Sequence, residues 1–151
     1  MKRITIAKSL AISAAITLTT LAVAPTATAG DKRCSNATLK GTFADRDIGA
    51  IAGVGPMAGA NLETFDGNGK ATGSGVSSVN GYVSANTFSG TYQVNADCTG
   101  TYSVHDPQGN TYSAFFVIGD NGNELQIVVT NPGTAISCVA RKQFPEGDSE
   151  R

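Results

Sequence analysis

The sequence predicts an all-β domain: a small antiparallel up-and-down barrel of eight strands, with a two-sheet β-sandwich as the alternative. Two observations carry that prediction. The first is a series of turn signals: Asp66-Gly67-Asn68-Gly69, Asn80-Gly81, Asp97-Cys98-Thr99-Gly100, Asp106-Pro107-Gln108-Gly109, Asp120-Asn121-Gly122 and Asn131-Pro132-Gly133. Such groups supply the positive-φ positions that hairpins need. The second is period-2 alternation between those turns, with no 3.6-residue apolar period longer than a turn. All 18 glycines lie beyond residue 29, a density that favours turns and bends over helices.

The chain opens differently. Met1-Lys2-Arg3 and Lys8 make a basic start, Leu10 to Val23 is apolar, and Ala27-Thr28-Ala29 offers a small-x-small cleavage pattern. Residues 1–29 therefore read as a secretory signal peptide with cleavage near Ala29/Gly30, which places the protein outside the cytoplasm, secreted or periplasmic. An apolar run of about 14 residues is short for a bilayer span, so no stable membrane insertion is expected. Residues 30–144 make one domain, and the charged tail at 145–151 reads as disordered. Lys2, Arg3 and Lys8 are three of the 11 basic residues, so the remainder, with 12 acidic residues, is net acidic. That argues against nucleic acid as a partner.

The expected strands span 39–46, 57–65, 70–79, 87–94, 99–105, 110–118, 124–130 and 134–144. In the fourth, Phe88, Tyr92 and Val94 share a face opposite Thr87, Ser89, Thr91 and Gln93. Tyr102 and Val104 continue the inward rule, as do Leu125, Ile127 and Val129. In the sixth strand Tyr112, Ala114, Phe116 and Ile118 alternate with Ser113, Phe115 and Val117, so both faces carry apolar groups. One of those faces meets a second layer, a ligand or another copy of the chain, which keeps a homodimer open. Closure of eight strands into a barrel removes the exposed edges of an open sheet.

A meander has parity, and parity sorts its connections onto two ends. The turns at 66–69, 95–100 and 119–123 share the end where the domain starts. The links at 47–56, 80–86, 106–109 and 131–133 share the other, and two of these read as long. Longer loops at one end commonly frame the mouth of a pocket. The glycine-rich link at 47–56 reads either as a lid across that mouth or as a continuation of its flanking strands.

Three cysteines in an exported domain imply one disulfide and one leftover thiol. Cys34 and Cys98 fall at the same end by parity and are the favoured pair, with Cys34–Cys138 the alternative. Cys138 then reads as a buried small hydrophobe. At the other end, His105 beside Asp106, the Asp45-Arg46-Asp47 run, Tyr82 and Asn86 form the one plausible polar constellation at a cavity mouth. Arg46, Tyr82, Asn86 and His105, with Phe88, Tyr92 and Phe116 as apolar lining, are the candidate ligand-binding residues. The competing reading of His105 is an exposed neighbour of an Asp106-capped turn. No catalytic set, metal set or cofactor cradle is legible. Asp66-Gly-Asn68 and Asp120-Asn-Gly resemble calcium loops only superficially, because Lys70 stands where a ligand is needed.

Cys34-Ser35-Asn36-Ala37-Thr38-Leu39-Lys40-Gly41-Thr42-Phe43, Thr64-Phe65-Asp66-Gly67-Asn68-Gly69, Phe88-Ser89-Gly90-Thr91-Tyr92 and Asn95-Ala96-Asp97-Cys98-Thr99-Gly100 resemble a group of small exported bacterial proteins without assigned function. Cys34 and Cys98 both fall in those motifs, so the resemblance implies that they pair. More loosely, Gly41-Thr42-Phe43 and Gly90-Thr91-Tyr92 are similar to the strand openings of calycin barrels, including those like allene oxide cyclase. The tryptophans of the avidin-like members are absent. The expected function is binding of a small apolar molecule inside the barrel. The alternatives are a cyclase or isomerase that works by holding its substrate folded, and a structural or protein-interaction module.

Overall fold

Eight strands form where the alternation predicts them, and they close on themselves. The computed structural model describes residues 33–144; the signal peptide expected over 1–29 and the tail expected over 145–151 lie outside the described residues. The strands are β1 (Gly41–Ile51), β2 (Gly55–Phe65), β3 (Lys70–Val79), β4 (Tyr82–Val94), β5 (Thr99–His105), β6 (Thr111–Gly119), β7 (Glu124–Val129) and β8 (Thr134–Lys142). Each pairs antiparallel with the next, and β8 pairs back onto β1 with Asp47 opposite Cys138, so the sheet is a closed up-and-down barrel rather than a sandwich.

The turn chemistry explains the order of the hairpins. Asn80 and Gly81 both hold positive φ, at 49° and 87°, which joins β3 to β4 in a two-residue turn. Asp66 accepts the backbone N–H groups of Asn68 and Lys70 at 2.7 and 2.9 Å and so shapes the β2–β3 turn. Asp97 does the same for Thr99 at 3.0 Å.

Two connections differ from expectation. The 47–56 link is no lid: β1 continues to Ile51 and β2 starts at Gly55, leaving a turn of three residues. Nor is 80–86 a long loop, because Tyr82 to Asn86 pair with Val79 to Gly75 across the tight Asn80-Gly81 turn. Both ends of the barrel therefore carry short hairpins.

The start of the domain also differs. Leu39, expected to open the first strand, instead ends a 3-10 turn (Asn36–Leu39), and β1 starts two residues later. Gly41, at φ 133°, swings the chain from that turn into β1. The turn plugs one end of the barrel. Asn36 accepts the Tyr92 hydroxyl on its carbonyl at 3.0 Å and the Val94 N–H on its side chain at 2.8 Å. Leu39 is fully buried, and the disulfide Cys34–Cys98 ties the segment to the β4–β5 turn. Above the plug lies the core of Phe43, Phe65, Tyr92, Phe116 and Leu125, with the Phe65 ring edge-on to both Phe43 and Tyr92.

Candidate functional site

Phe43 on β1 and Phe65 on β2 point inward at the plugged end. Because side chains alternate along a strand, Asp45 and Asp47 on β1, and Asn61 and Glu63 on β2, point inward too. Asn61 lies opposite Asp45 in the register, and Glu63 opposite Phe43. The core thus ends in a polar layer partway up the barrel. Above it, a cavity of about 200 Å³ runs toward the far end of the strands. Its polar wall includes Asp45, Asp47, Asn61, Glu63, Tyr102 and Asn86; its apolar wall includes Ile51, Met57, Val79, Phe88, Ile127 and Ile136.

Glycines make room for this layer. Gly73 lies opposite Glu63 and Gly75 opposite Asn61 on β3. A side chain at Gly73 would run into the Phe88 ring, and one at Gly75 into the Asn61 carboxamide oxygen. The oxygen of Asn61 therefore lies over β3, toward Asn86, which is opposite Gly75 on β4.

The hydrogen bonds of the layer leave it short of donors. The Asn61 side-chain amide donates to Asp45 Oδ1 at 2.8 Å and to Asp47 Oδ2 at 2.7 Å, and its backbone N–H to Asp45 Oδ1 at 3.0 Å. The Tyr102 hydroxyl donates to Glu63 Oε1 at 2.7 Å. Glu63 Oε2, Asn61 Oδ1 and Asn86 Oδ1 are buried and have no hydrogen-bond partner among the described residues. Glu63 itself is only 4 % exposed. Among the described residues the one ion pair is Arg141 with Glu124, on the outer wall, so no cation neutralises the interior carboxyls.

Acidities follow from that environment. Burial, reinforced by the neighbouring Asp45 charge, pushes Glu63 up to about 8. Burial and then Asp47 push Asp45 up to about 6, against the opposing pull of its bonds from Asn61. The Tyr102 hydroxyl and the free, buried Cys138 thiol are raised as well, burial being the larger cause in each. Cys138 is thus held as a thiol beside Asp47, which does not suit a nucleophile.

Of the seven ligand-binding candidates, the structure brings Asn86 and Phe88 together in the cavity wall. Arg46 points outward, as its position between Asp45 and Asp47 requires. Tyr82 is 80 % exposed at the rim of the β3–β4 hairpin. His105 is exposed, its Nδ1 3.1 Å from Thr111 Oγ1. Tyr92 and Phe116 are core residues of the plugged end. Asp106, at the cavity mouth, takes the Asn110 backbone N–H at 2.8 Å and its side-chain amide at 2.7 Å, which holds its acidity below the usual carboxylate range. Asn61, Glu63 and Tyr102 were not among the candidates. Their signal was available: Asn61 and Glu63 stand two positions apart on the face that Phe65 defines as inward, and Tyr102 shares a face with Val104 on β5.

A wider depression of about 600 Å³ lies outside the plugged end, between the segment Cys34–Ala37 and the turn at Gly67 to Gly69. It is shallow, and among the described residues no Asp, Glu, Lys, Arg or His lines it. Among the described residues no group of three or more His, Cys, Asp and Glu is arranged to hold a metal ion.

No protein-family model matches the chain, and no curated protein sequence matches it. Among solved structures, a redesigned β-barrel superposes with a TM-score of 0.51 at 10 % sequence identity, covering 72 % of this chain and 95 % of that one. At that identity the likeness is one of fold: this chain, like that design, is a β-barrel.

Proposed function

We propose that the protein is a small-molecule-binding barrel that works outside the cytoplasm. One observation carries the reading: the interior is filled only in its plugged half, and the other half keeps a cavity of about 200 Å³ with mainly apolar walls and a few convergent polar groups. That volume lies below the roughly 300 Å³ at which drug-sized sites begin, so the ligand is compact. The basic start, the apolar stretch and Ala27-Thr28-Ala29 support export, and the Cys34–Cys98 bridge fits an oxidising compartment.

Native mass spectrometry of the protein purified from its own host tests the reading. A retained ligand is expected, and Ser77→Phe, which puts a ring into the cavity wall, is expected to abolish its retention while the barrel still melts cooperatively. A wild-type protein that carries no ligand and gains no thermal stability from a library of small amphiphiles would remove the proposal. The same spectra report oligomeric state, on which Phe115, Val117 and Val128 bear, exposed side by side on the outer wall of β6 and β7.

A second reading is a cyclase or isomerase. It is favoured by Glu63, a buried carboxylic acid that faces the cavity and holds its proton near neutral pH, as a general acid does. Turnover that survives Glu63→Gln unchanged would dispose of it.

A further inference from the structure

The unpartnered atoms of the cavity are two amide oxygens and one carboxyl oxygen. Asn61 Oδ1 and Asn86 Oδ1 are amide oxygens, which only accept hydrogen bonds, and Glu63 Oε2 joins them whenever it is ionised. The Asn61 orientation is fixed, because its NH₂ is spent on Asp45 and Asp47. Buried acceptors without donors are costly to keep, and among the described residues no cation pairs with the interior carboxyls. What the layer lacks is a positively charged group rich in N–H donors.

We infer that the cavity takes a small organic cation: a protonated amine whose ammonium is held by Glu63, Asn61 and Asn86, with its apolar body running along Ile51, Met57 and Ile136 toward the mouth. The inference rests on the small-molecule reading above and names the ligand class.

Geometry favours this occupant over others. A primary ammonium offers three N–H donors on one atom. Asn61 and Asn86 lie on one row across β2, β3 and β4 with Gly75 between them, and Glu63 lies one inward position along β2 from Asn61. That spacing, about 5 Å per strand, lets side chains from both edges converge over the glycine lane. The Phe88 ring, lying over Gly73 beside Glu63, adds an aromatic surface to the same pocket. An anion would face Asp45, Asp47 and Glu63 together, and a neutral apolar molecule would leave every acceptor unpaired.

Binding is coupled to protons. Asp45 and Asp47 on β1, Tyr102 on β5 and Cys138 on β8 face Glu63 inside the barrel, with Asp106 and Tyr112 at the mouth. An ammonium favours the ionised form of Glu63, so its binding expels the proton that burial keeps there.

The test is calorimetry on the purified protein with a graded amine series from methylamine to 2-phenylethylamine, alongside 2-phenylethanol and 3-phenylpropionate as neutral and anionic counterparts. At pH 7, an amine of the series is expected to bind about 30-fold more tightly than its alcohol. Release of up to about one proton is expected, seen as a heat that depends on the buffer's ionisation enthalpy. Glu63→Gln keeps an acceptor for Tyr102 and is expected to remove both the preference and the proton release. Asn86→Leu, on a different strand, is expected to weaken the amine and spare the alcohol, so the result does not hang on one variant's folding. Equal affinity for amine and alcohol, unchanged in both variants, would overturn the cation while leaving a binding barrel. Displacement of the amine by calcium or zinc chloride alone would overturn it in favour of a metal site. If no member of the panel binds, the cation falls, and the binding barrel falls with it only where the wild type also carries no ligand and gains no thermal stability from the amphiphile library.

Discussion

The protein is expected to lose stability as pH rises from 5 to 8, opposite to the trend in a domain whose carboxylates are paired. Glu63 has its ordinary value of 4.5 in the unfolded chain and about 8 in the barrel. Below pH 4.5 it is protonated in both states and favours neither. Between 4.5 and 8 the unfolded chain releases the proton while the barrel retains it, so the native state binds more protons and unfolding becomes easier with rising pH. For Glu63 alone that amounts to about 3 kcal/mol between pH 5 and 8. Asp45, raised from 3.8 to about 6, acts in the same direction over the lower part of that window. Asp66, Asp97 and Asp106 are shifted the other way by their turn hydrogen bonds. Their contributions are complete above the usual carboxylate range and are lost only as pH falls below it. Stability should therefore peak near pH 4, where the two opposing trends balance, and fall from there through pH 8. Urea unfolding at pH 5, 6.5 and 8 measures the profile, and Glu63→Gln should flatten it and raise stability at pH 8 by about the same 3 kcal/mol. A wild-type profile that is level from pH 5 to 8 would mean that the interior carboxyls are solvated.

The same residues explain which parts of the molecule were legible in the sequence. Where the barrel interior is apolar, at Phe88, Tyr92, Tyr102, Phe116, Leu125 and Ile127, alternation placed the strands and their inward faces. The Asp/Asn-Gly turns gave the hairpins, and parity brought Cys34 to the end that holds Cys98. In the open half of the barrel the contrast inverts. Inward positions carry Asp45, Asp47, Gly49, Gly59 and Asn61, while Ile48 and Leu62 stand exposed outside. A stretch with polar or absent side chains inside and apolar ones outside does not read as a strand of a water-facing barrel, so β1, β2 and β4 looked shorter than they are. The residues that blurred the strand ends are those that build the polar layer. Arg46 drew attention because it is charged, whereas its neighbours Asp45 and Asp47 share the face of Phe43, which is the stronger signal.

Removing the Cys34–Cys98 bridge is expected to destabilise the barrel by about 4 kcal/mol, the chain-entropy value for a loop of this length. The bridge spans 64 residues and thereby ties the segment before β1 to the β4–β5 turn. A domain of this size has a total of roughly 5–15 kcal/mol, so much of its margin is at stake. The loss should exceed that of an ordinary loop staple's removal, because the tethered segment is the barrel's plug. Leu39 closes the core below Phe43, and Asn36 satisfies both the Tyr92 hydroxyl and the Val94 N–H. Without the tether, fraying of residues 34–40 would open that end to water, and the buried Glu63 would gain the solvation that the closed barrel denies it. The double variant Cys34→Ser/Cys98→Ser should accordingly melt roughly 15 °C lower and titrate Glu63 at a lower pH, closer to 4.5. Cys138→Ala, which leaves the bridge intact, separates loss of the tether from loss of a thiol. A double variant that melts within a degree or two of the wild type would show that Leu39 and the Asn36 hydrogen bonds hold the plug unaided. An unshifted Glu63 in a destabilised variant would show that the core of Phe43, Phe65 and Tyr92, rather than the plug, is what keeps water from the acidic layer.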